Sequence, residues 1–274
     1  MPELPEVEVL RLGLERSLIG CSLVSVDIRA PMLREPVDAG RIRRACVGRR
    51  VVAVERRAKY LQVRLEGDSV LVVHLGMSGR LWIADRDQPI CKHEHASFLL
   101  SSGRTLRFRD PRRFGLLFAL PAGELATDRH FVHLGVEPLG PEFSGPALRR
   151  WSRGRRAPVK NFLMDSRIVV GLGNIYTTEA LFAAGVHPLR AAGRISSERF
   201  QRLADAVQAV LRRAIDEGGT TLRDFRNAEG NEGYFQVSLA AYGRKGQPCP
   251  KCGELIRRIV QAGRSTFYCL RCQR

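Results

Sequence analysis

The spacing of hydrophobic and polar residues changes character twice along this chain. Near the start, Val7, Leu10, Leu14 and Leu18 recur at helical intervals. Pro5 suits a first helical position, Glu6 and Glu8 suit the positive helix end, and Gly20 supplies a stop. From Leu23 to Leu120 the period becomes two: Val24, Val26 and Ile28 alternate with Ser25 and Asp27, and Leu61, Val63 and Leu65 alternate with Gln62, Arg64 and Glu66. The run from Ser69 to Leu75 is almost continuously apolar, as expected of a strand buried on both faces. These patterns predict a β-sandwich or flattened barrel with the first helix packed at its side.

Between Pro121 and Pro146 the composition shifts to glycine, proline and short polar stretches, the profile of a linker. Beyond it the pattern is helical. Ser196 is a good N-cap for a long helix carrying Phe200, Leu203, Val207, Val210, Leu211 and Ala214 inward, and Gly218-Gly219 ends it. The stretch Thr220 to Phe235 is polar and glycine-punctuated, which predicts a mobile loop. The last part, Pro248 to Arg274, is too short for its own apolar core and needs a metal to hold it. No internal repeat or low-complexity segment is present. The fold class is therefore α+β, in at least two parts.

Charge narrows the partner. Lys+Arg outnumber Asp+Glu by 45 to 28, a formal net charge of +17. Such a field favours nucleic acid, with an anionic membrane surface as the weaker alternative. No apolar run is long enough to span a bilayer, and the start lacks a signal-peptide pattern, so a soluble, intracellular protein is expected. Seven cysteines in a reducing compartment do not form a disulfide framework. Cys21, Cys46 and Cys91 sit singly and read as small buried or half-buried residues. Lysine occurs only at 59, 92, 160, 245 and 251, so each is a candidate for work that an amine does and a guanidinium cannot.

Four motifs carry candidate chemistry. The spacing C-x2-C-x16-C-x2-C at Cys249, Cys252, Cys269 and Cys272 suits a closed tetrahedral zinc site in which the metal organises backbone, with Arg257, Arg258 and Arg264 on the hairpin between the knuckles. No redox or nucleotide cofactor is expected. At Gly171 to Tyr176 a glycine turn opens onto a helix whose N–H groups can cradle phosphate, with Asn174 as cap or phosphate donor; a plain capped helix is an equal reading. The loop Arg109 to Gly115 could be a solvated turn, but in a basic protein Phe114 can enter a base stack while Arg112 fills the hole. Finally, Pro2 would carry a secondary α-amine once Met1 is lost, and Glu3 sits beside it: a covalent-catalysis pair. His93 and His95 share a strand face, but no further ligand accompanies them, so they read as structural or surface residues.

The opening Pro2 to Glu8, the stretch Arg57 to Leu61, His74 to Gly79, Asp110 to Gly115, Gly171 to Tyr176 and Gly263 to Cys269 together resemble the bacterial formamidopyrimidine-DNA glycosylase family, collinearly from residue 2 to 273. The resemblance implies a β-sandwich with a flanking helix, joined to a helix-two-turns-helix domain with a β-hairpin zinc finger holding one structural Zn2+. Boundaries follow as residues 1–130 for the catalytic domain, 131–145 for the linker, 146–240 for the DNA-binding helices and 241–274 for the finger. The implied activity is excision of oxidised purines, chiefly 8-oxoguanine and formamidopyrimidines, followed by strand cleavage through β,δ-elimination. The implied partner is damaged double-stranded DNA, met by a monomer in the bacterial cytoplasm, at the nucleoid.

Residue roles follow from the same resemblance. Pro2 attacks C1′ of the damaged nucleotide, Glu3 is the general acid/base, and Lys59 works at the active-site phosphates. His74, Asn174 and Arg264 resemble a phosphate clamp to which Lys160 belongs as a fourth candidate, although a satisfied strand histidine is the plainer account of His74. Met77, Arg112 and Phe114 match a trio that fills the void left by an extruded base. Glu6, Arg223 and Tyr242 fall near the lesion, with dipole complementation a plain alternative for Glu6 and core packing for Tyr242. Arg223 departs from the lysine of the familiar member, which leaves its contacts open. The nearest rival is the endonuclease VIII-like branch, which prefers oxidised pyrimidines; Leu4 and the void-filling trio favour the purine branch. A non-catalytic zinc DNA-binding protein is the rival of another class, and it gives no reason for Pro2, Glu3 or Lys59.

Overall fold

The structure, a computed structural model, describes residues 2–219 and 239–274. These fall into two compact units, one of residues 2–132 with 218 and 219, the other of residues 133–217 and 239–274.

The first unit opens with α1 (Leu4–Leu18) and continues through β1 (Leu23–Ile28), α2 (Ala39–Cys46), β2 (Val51–Arg57), β3 (Tyr60–Leu65), β4 (Ser69–His74), β5 (Arg80–Asp85), β6 (Glu94–Leu100), β7 (Arg104–Arg109) and β8 (Leu116–Pro121). The strands form two four-stranded antiparallel sheets, ordered β1-β6-β7-β5 and β2-β3-β4-β8. Leu10, Leu14 and Leu18 of α1 join Val54, Leu61, Val73, Phe98 and Phe108 in one buried cluster, so the helix closes the sandwich core as its apolar spacing predicts. Each such side chain contributes about 1.5 to 3 kcal/mol by leaving water. The strand β4 is buried on both faces for five of its residues, which explains its unbroken apolar run.

Two features differ from expectation. The helix α2 lies inside the stretch read as period two. It buries only Ile42 and Cys46, and its start is fixed by Asp38 accepting from the Arg41 N–H, so its apolar signal is one pair of residues. Burial of Cys46 pushes its thiol up to about 12, but Cys91 is exposed, its sulfur 3.4 Å from the Glu94 carboxylate.

The second unit holds α3 (Gly145–Ser152), α4 (Val159–Leu163), α5 (Asn174–Ala184), α6 (Ser197–Asp216) and a hairpin of β9 (Arg257–Gln261) and β10 (Arg264–Tyr268). Ser196 caps α6 by accepting from the Arg199 N–H. That helix buries Phe200, Leu203, Val207, Leu211 and Ala214; Val210, expected inward, is half-buried. The residues of α5 from Ile175 to Phe182 are all buried, and the helix packs against α6. The finger seats on the far end of α5. Lys251 Nζ donates to the Ala183 carbonyl at 3.1 Å, at the negative end of the helix, and the Gln273 amide donates to the Val186 carbonyl at 2.9 Å. The predicted loop Thr220 to Phe235, with Arg223, lies outside the described residues. Among the described residues no helix is long and apolar enough to cross a membrane.

Candidate functional site

In the first unit the local chemistry of the N-terminal turn sets the geometry. Glu3 is the N-cap of α1: its carboxylate accepts from the Glu6 backbone, and the Glu6 carboxylate accepts from the Glu3 N–H at 2.8 Å. This reciprocal capping box holds both carboxylates at the positive end of the helix, where negative charge is stabilised. Both are almost fully buried, and Pro2 just ahead of them is half-buried. The Gly219 backbone, at φ +86, lies against Glu6, where an added Cβ would stand 3.4 Å from the Glu6 side chain.

Lys59 sits on a two-residue turn between β2 and β3, after Ala58 at φ 55. Two arginines tie this hairpin to α1. Arg56 Nε donates to Glu8 Oε2 at 2.7 Å while its Nη1 donates to the Ala58 carbonyl at 2.9 Å. Arg11 donates to Glu8 Oε1 at 2.8 Å and to the Val54 carbonyl at 3.1 Å. Burial alone would raise the Glu8 carboxyl, but the hydrogen bonds and charges of Arg11 and Arg56 outweigh it and hold the group below its ordinary value. The helix that begins with Pro2 and Glu3 is thereby latched to the turn that presents Lys59. Sequence reasoning passed over Glu8 as a latch; its signal was the acid with Arg11 three residues on.

His74 closes β4. Burial, reinforced by the charges of Arg34, Lys59 and His130, pushes it down to about 3, so the ring is neutral at physiological pH. Its Nδ1 accepts from the Gly76 N–H at 2.9 Å, which leaves Nε2 as the proton-bearing nitrogen and sole donor. Both readings of His74 thus have a basis: one nitrogen is satisfied in the turn, and the other remains a donor.

Beyond Gly76 come Met77, exposed at 39 %, and Ser78. The second exposed tip is Phe114, at 42 %, with the Arg112 guanidinium stacked 4.8 Å from its ring centre. Gly76, at φ 61, packs so closely on the Phe114 carbonyl that a Cβ there would collide with it. The sequence-predicted trio Met77, Arg112 and Phe114 thus occupies two neighbouring turns. His95 Nε2 donates to the Asp110 carbonyl at 2.9 Å, and His93 lies half-buried at φ 67 ahead of it. Neither joins a metal cluster among the described residues.

In the second unit Lys160 and Asn174 do come together, but in a way the sequence did not predict. Lys160 is 2 % exposed, and its ammonium donates to Asn174 Oδ1 and to Thr266 Oγ1, both at 2.6 Å, and to the Ser265 carbonyl at 3.3 Å. Asn174 Nδ2 also donates to the Ser265 carbonyl, at 2.9 Å. Asn174 is the first residue of α5 with Gly173 as its N-cap, so its side chain does not cap the helix; it faces the finger hairpin. Arg264 is exposed at the start of β10, after a tight turn in which Ala262 and Gly263 both have positive φ. Together with Lys160, Asn161, Met164, Asp165 and Gln261 it lines a polar cavity of about 260 Å³. Tyr242 packs edge-on against Phe267, with ring centres 5.2 Å apart. Glu179, a single acid in an apolar helix, has a role that residue patterning does not signal. Its carboxylate accepts from the N–H groups of Ala240, Ala241 and Tyr242 at 2.7 to 2.9 Å, and so fixes the chain entering the finger.

The four knuckle cysteines converge. Their sulfurs all lie within 4.8 Å of one another, with Cys249 and Cys272 at 3.9 Å and Cys252 and Cys269 at 3.5 Å. Thiolates about 2.3 Å from a shared tetrahedral zinc stand about 3.8 Å apart, so the cage is of the size the ion requires, with side-chain shifts of under about 1 Å. A four-sulfur set offers no open ligand position. One structural zinc belongs here, and it holds the hairpin rather than taking part in chemistry.

Three family models match successive parts of the chain: the formamidopyrimidine-DNA glycosylase N-terminal domain at residues 1–117, the formamidopyrimidine-DNA glycosylase H2TH domain at 134–226, and the zinc finger found in FPG and IleRS at 246–274. A formamidopyrimidine-DNA glycosylase of Halorhodospira halophila is 52% identical over 275 residues, covering all of both chains. The MutM (Fpg) protein of Thermus thermophilus has a similar structure, with TM-score 0.88 and 40% identity over 99% of this chain and 98% of that one. Lactococcus lactis Fpg in complex with a Fapy-dG containing DNA matches with TM-score 0.90 and 30% identity over 99% of this chain and all of that one. On matches that span the N-terminal sandwich, the helical part and the finger, this chain belongs to the formamidopyrimidine-DNA glycosylase family.

Proposed function

We propose that the protein is a bifunctional base-excision-repair enzyme that removes oxidised purines from double-stranded DNA and then cleaves the strand. The observation that carries this reading is the pairing of Pro2 and Glu3 at the buried start of a helix latched, through Glu8 and Arg56, to the backbone of the Lys59 turn. Residues 1–130 would supply the chemistry, 131–145 the linker, 146–240 the helical DNA-binding part and 241–274 the finger. The enzyme acts as a monomer on DNA of the bacterial nucleoid.

In the Met1-processed chain the Pro2 nitrogen is a secondary amine; an ordinary α-amine titrates unperturbed at roughly 7.7 to 8.0. A neighbouring ammonium, the role assigned to Lys59, lowers that value and enlarges the nucleophilic fraction. The amine forms a bond to C1′ as the base leaves with the electrons of the glycosidic bond. Glu3 delivers a proton to the sugar ring oxygen or the departing group. The nitrogen gives up its own proton, the C1′–O4′ bond breaks with its electrons going to the protonated ring oxygen, and the C1′=N+ bond forms. This iminium is cationic without further protonation and acidifies the C2′ hydrogen, whose removal expels the 3′ phosphate, and a second elimination expels the 5′ phosphate.

Binding has its own groups in each unit. His74 offers Nε2–H in the first, and Arg264, with Asn174 held behind the hairpin, serves the phosphate backbone in the second. Lys160 acts there through Asn174 and Thr266. The residues Met77, Arg112 and Phe114 replace part of the stacking lost when the lesion leaves the helix, a cost of a few kcal/mol. Glu6 is assigned to the lesion pocket. A base-release assay tests the branch: faster excision from an 8-oxoguanine duplex than from an oxidised-pyrimidine duplex is expected. The reverse order would place the enzyme with the endonuclease VIII-like proteins.

A further inference from the structure

Met77 and Phe114 are held outward on separate turns, yet one buried carboxylate joins them. Asp110 has no exposed surface. Its Oδ1 accepts from Ser78 Oγ at 2.6 Å, and its Oδ2 accepts from the Gly115 N–H at 2.7 Å. Ser78 Oγ in turn accepts from the Arg112 N–H at 3.2 Å. The Asp110 carbonyl receives the Arg113 N–H at 3.1 Å, which closes the loop on itself with Arg113 in the left-handed region at φ 56. The floor beneath is equally tight: a Cβ on Gly115 would stand 2.8 Å from the His74 carbonyl oxygen and 2.9 Å from the Phe108 ring. Neither turn can shift without breaking a charge-assisted hydrogen bond in a buried place.

We propose that Ser78 and Asp110 are positioning residues that lock the Met77 turn to the Arg112–Phe114 loop, so that the two apolar tips enter the base stack as a single wedge. This rests on the reading of those tips as stack-inserting residues. The physical gain is entropic. Two tips on independently mobile turns would each be ordered on insertion, whereas tips on one pre-assembled platform are ordered during folding. Ser78 is the critical link because its hydroxyl touches both the carboxylate and the Arg112 backbone.

The test uses the full, Met1-processed, zinc-loaded protein. Ser78→Ala should slow excision from an 8-oxoguanine duplex about fivefold, the order of one hydrogen bond, and Ser78→Thr, which keeps the hydroxyl, should restore it to within about twofold. In a Met77→Ala background the same Ser78→Ala change should cost almost nothing, because one half of the wedge is already gone. Borohydride trapping on a single-stranded oligonucleotide with an abasic site, where there is no stack to enter, should be unchanged by Ser78→Ala. Should Ser78→Ala fail to fold, Ser78→Cys against Ser78→Thr carries the same comparison. Losses that multiply fully with Met77→Ala, an equal loss on the single strand, or a wild-type rate in Ser78→Ala would each overturn the proposal. Absence of excision and trapping in the unaltered protein is a different result, and it would overturn the glycosylase reading beneath the proposal as well.

Discussion

Replacing Glu8 by glutamine removes the charge at the centre of the latch and keeps its shape. In the native unit this carboxylate receives Arg56 at 2.7 Å and Arg11 at 2.8 Å, with all three side chains less than a fifth exposed. Two charge-assisted hydrogen bonds of about 1.5 to 3 kcal/mol each set an upper bound. Residual solvent screening and the bonds that glutamine can still accept reduce it to about 2 kcal/mol. For a unit of this size that is a fall in melting temperature of about 4 to 8 °C at pH 7. The sign of the pH dependence follows from the depressed carboxyl. Its contribution is fully present above the ordinary glutamate value and is lost as pH falls through the lower folded value, so wild type and Glu8→Gln should converge in acid. Differential scanning calorimetry at pH 7 and at about pH 3.5 reads both effects, the reference glutamate value being about 4.3. A shift below about 1 °C at pH 7, the range of an ordinary surface pair, or a gap that widens in acid, would refute the latch.

Further outcomes follow from the site. Glu3→Gln should abolish most base excision while DNA binding is retained, and an active variant would refute the acid/base role. Cys269→Ser should lose zinc by metal analysis and weaken DNA binding about tenfold or more, because Arg257, Arg258 and Arg264 lose their hairpin; undiminished affinity without zinc would contradict this. Phe114→Ala should slow lesion excision more than it weakens binding to undamaged DNA, and equal losses would mark a purely structural ring. His74 is held neutral, so the unfolded chain takes up a proton that the folded one refuses as pH drops below about 6.5, and stability declines towards pH 5. His74→Asn should flatten that decline when unfolding is followed in denaturant, and an unaltered slope would reject the buried neutral ring.

Much of this was legible in the residues. The spacing of Leu10, Leu14 and Leu18 gave α1, the period of two gave the strands, and the cysteine spacing gave a cage whose sulfurs converge. Of the two exposed tips, Phe114 was legible as a large apolar residue beside arginine on a glycine-ended loop, whereas Met77 was reached only through the family resemblance. What escaped were the polar links between distant segments. Asp110 and Ser78 are separated by an intervening sheet excursion, and Lys160 and Thr266 by most of the second unit. Periodicity reports which face of an element is apolar, but carries no information about which acid meets which donor across the fold. Lys160 shows the consequence most clearly. Its scarcity in the chain marked it as special, yet only its burial distinguishes a pin behind Asn174 from a phosphate contact.

The central claim, covalent catalysis by Pro2, is tested most directly by borohydride trapping of the Met1-processed protein on a duplex with one 8-oxoguanine opposite cytosine, followed by peptide mapping of the adduct. The account predicts a reduced, DNA-linked peptide carrying its modification on Pro2, and no adduct when Met1 is retained. An adduct mapped to Lys59, or tight binding with no adduct at all, would contradict it.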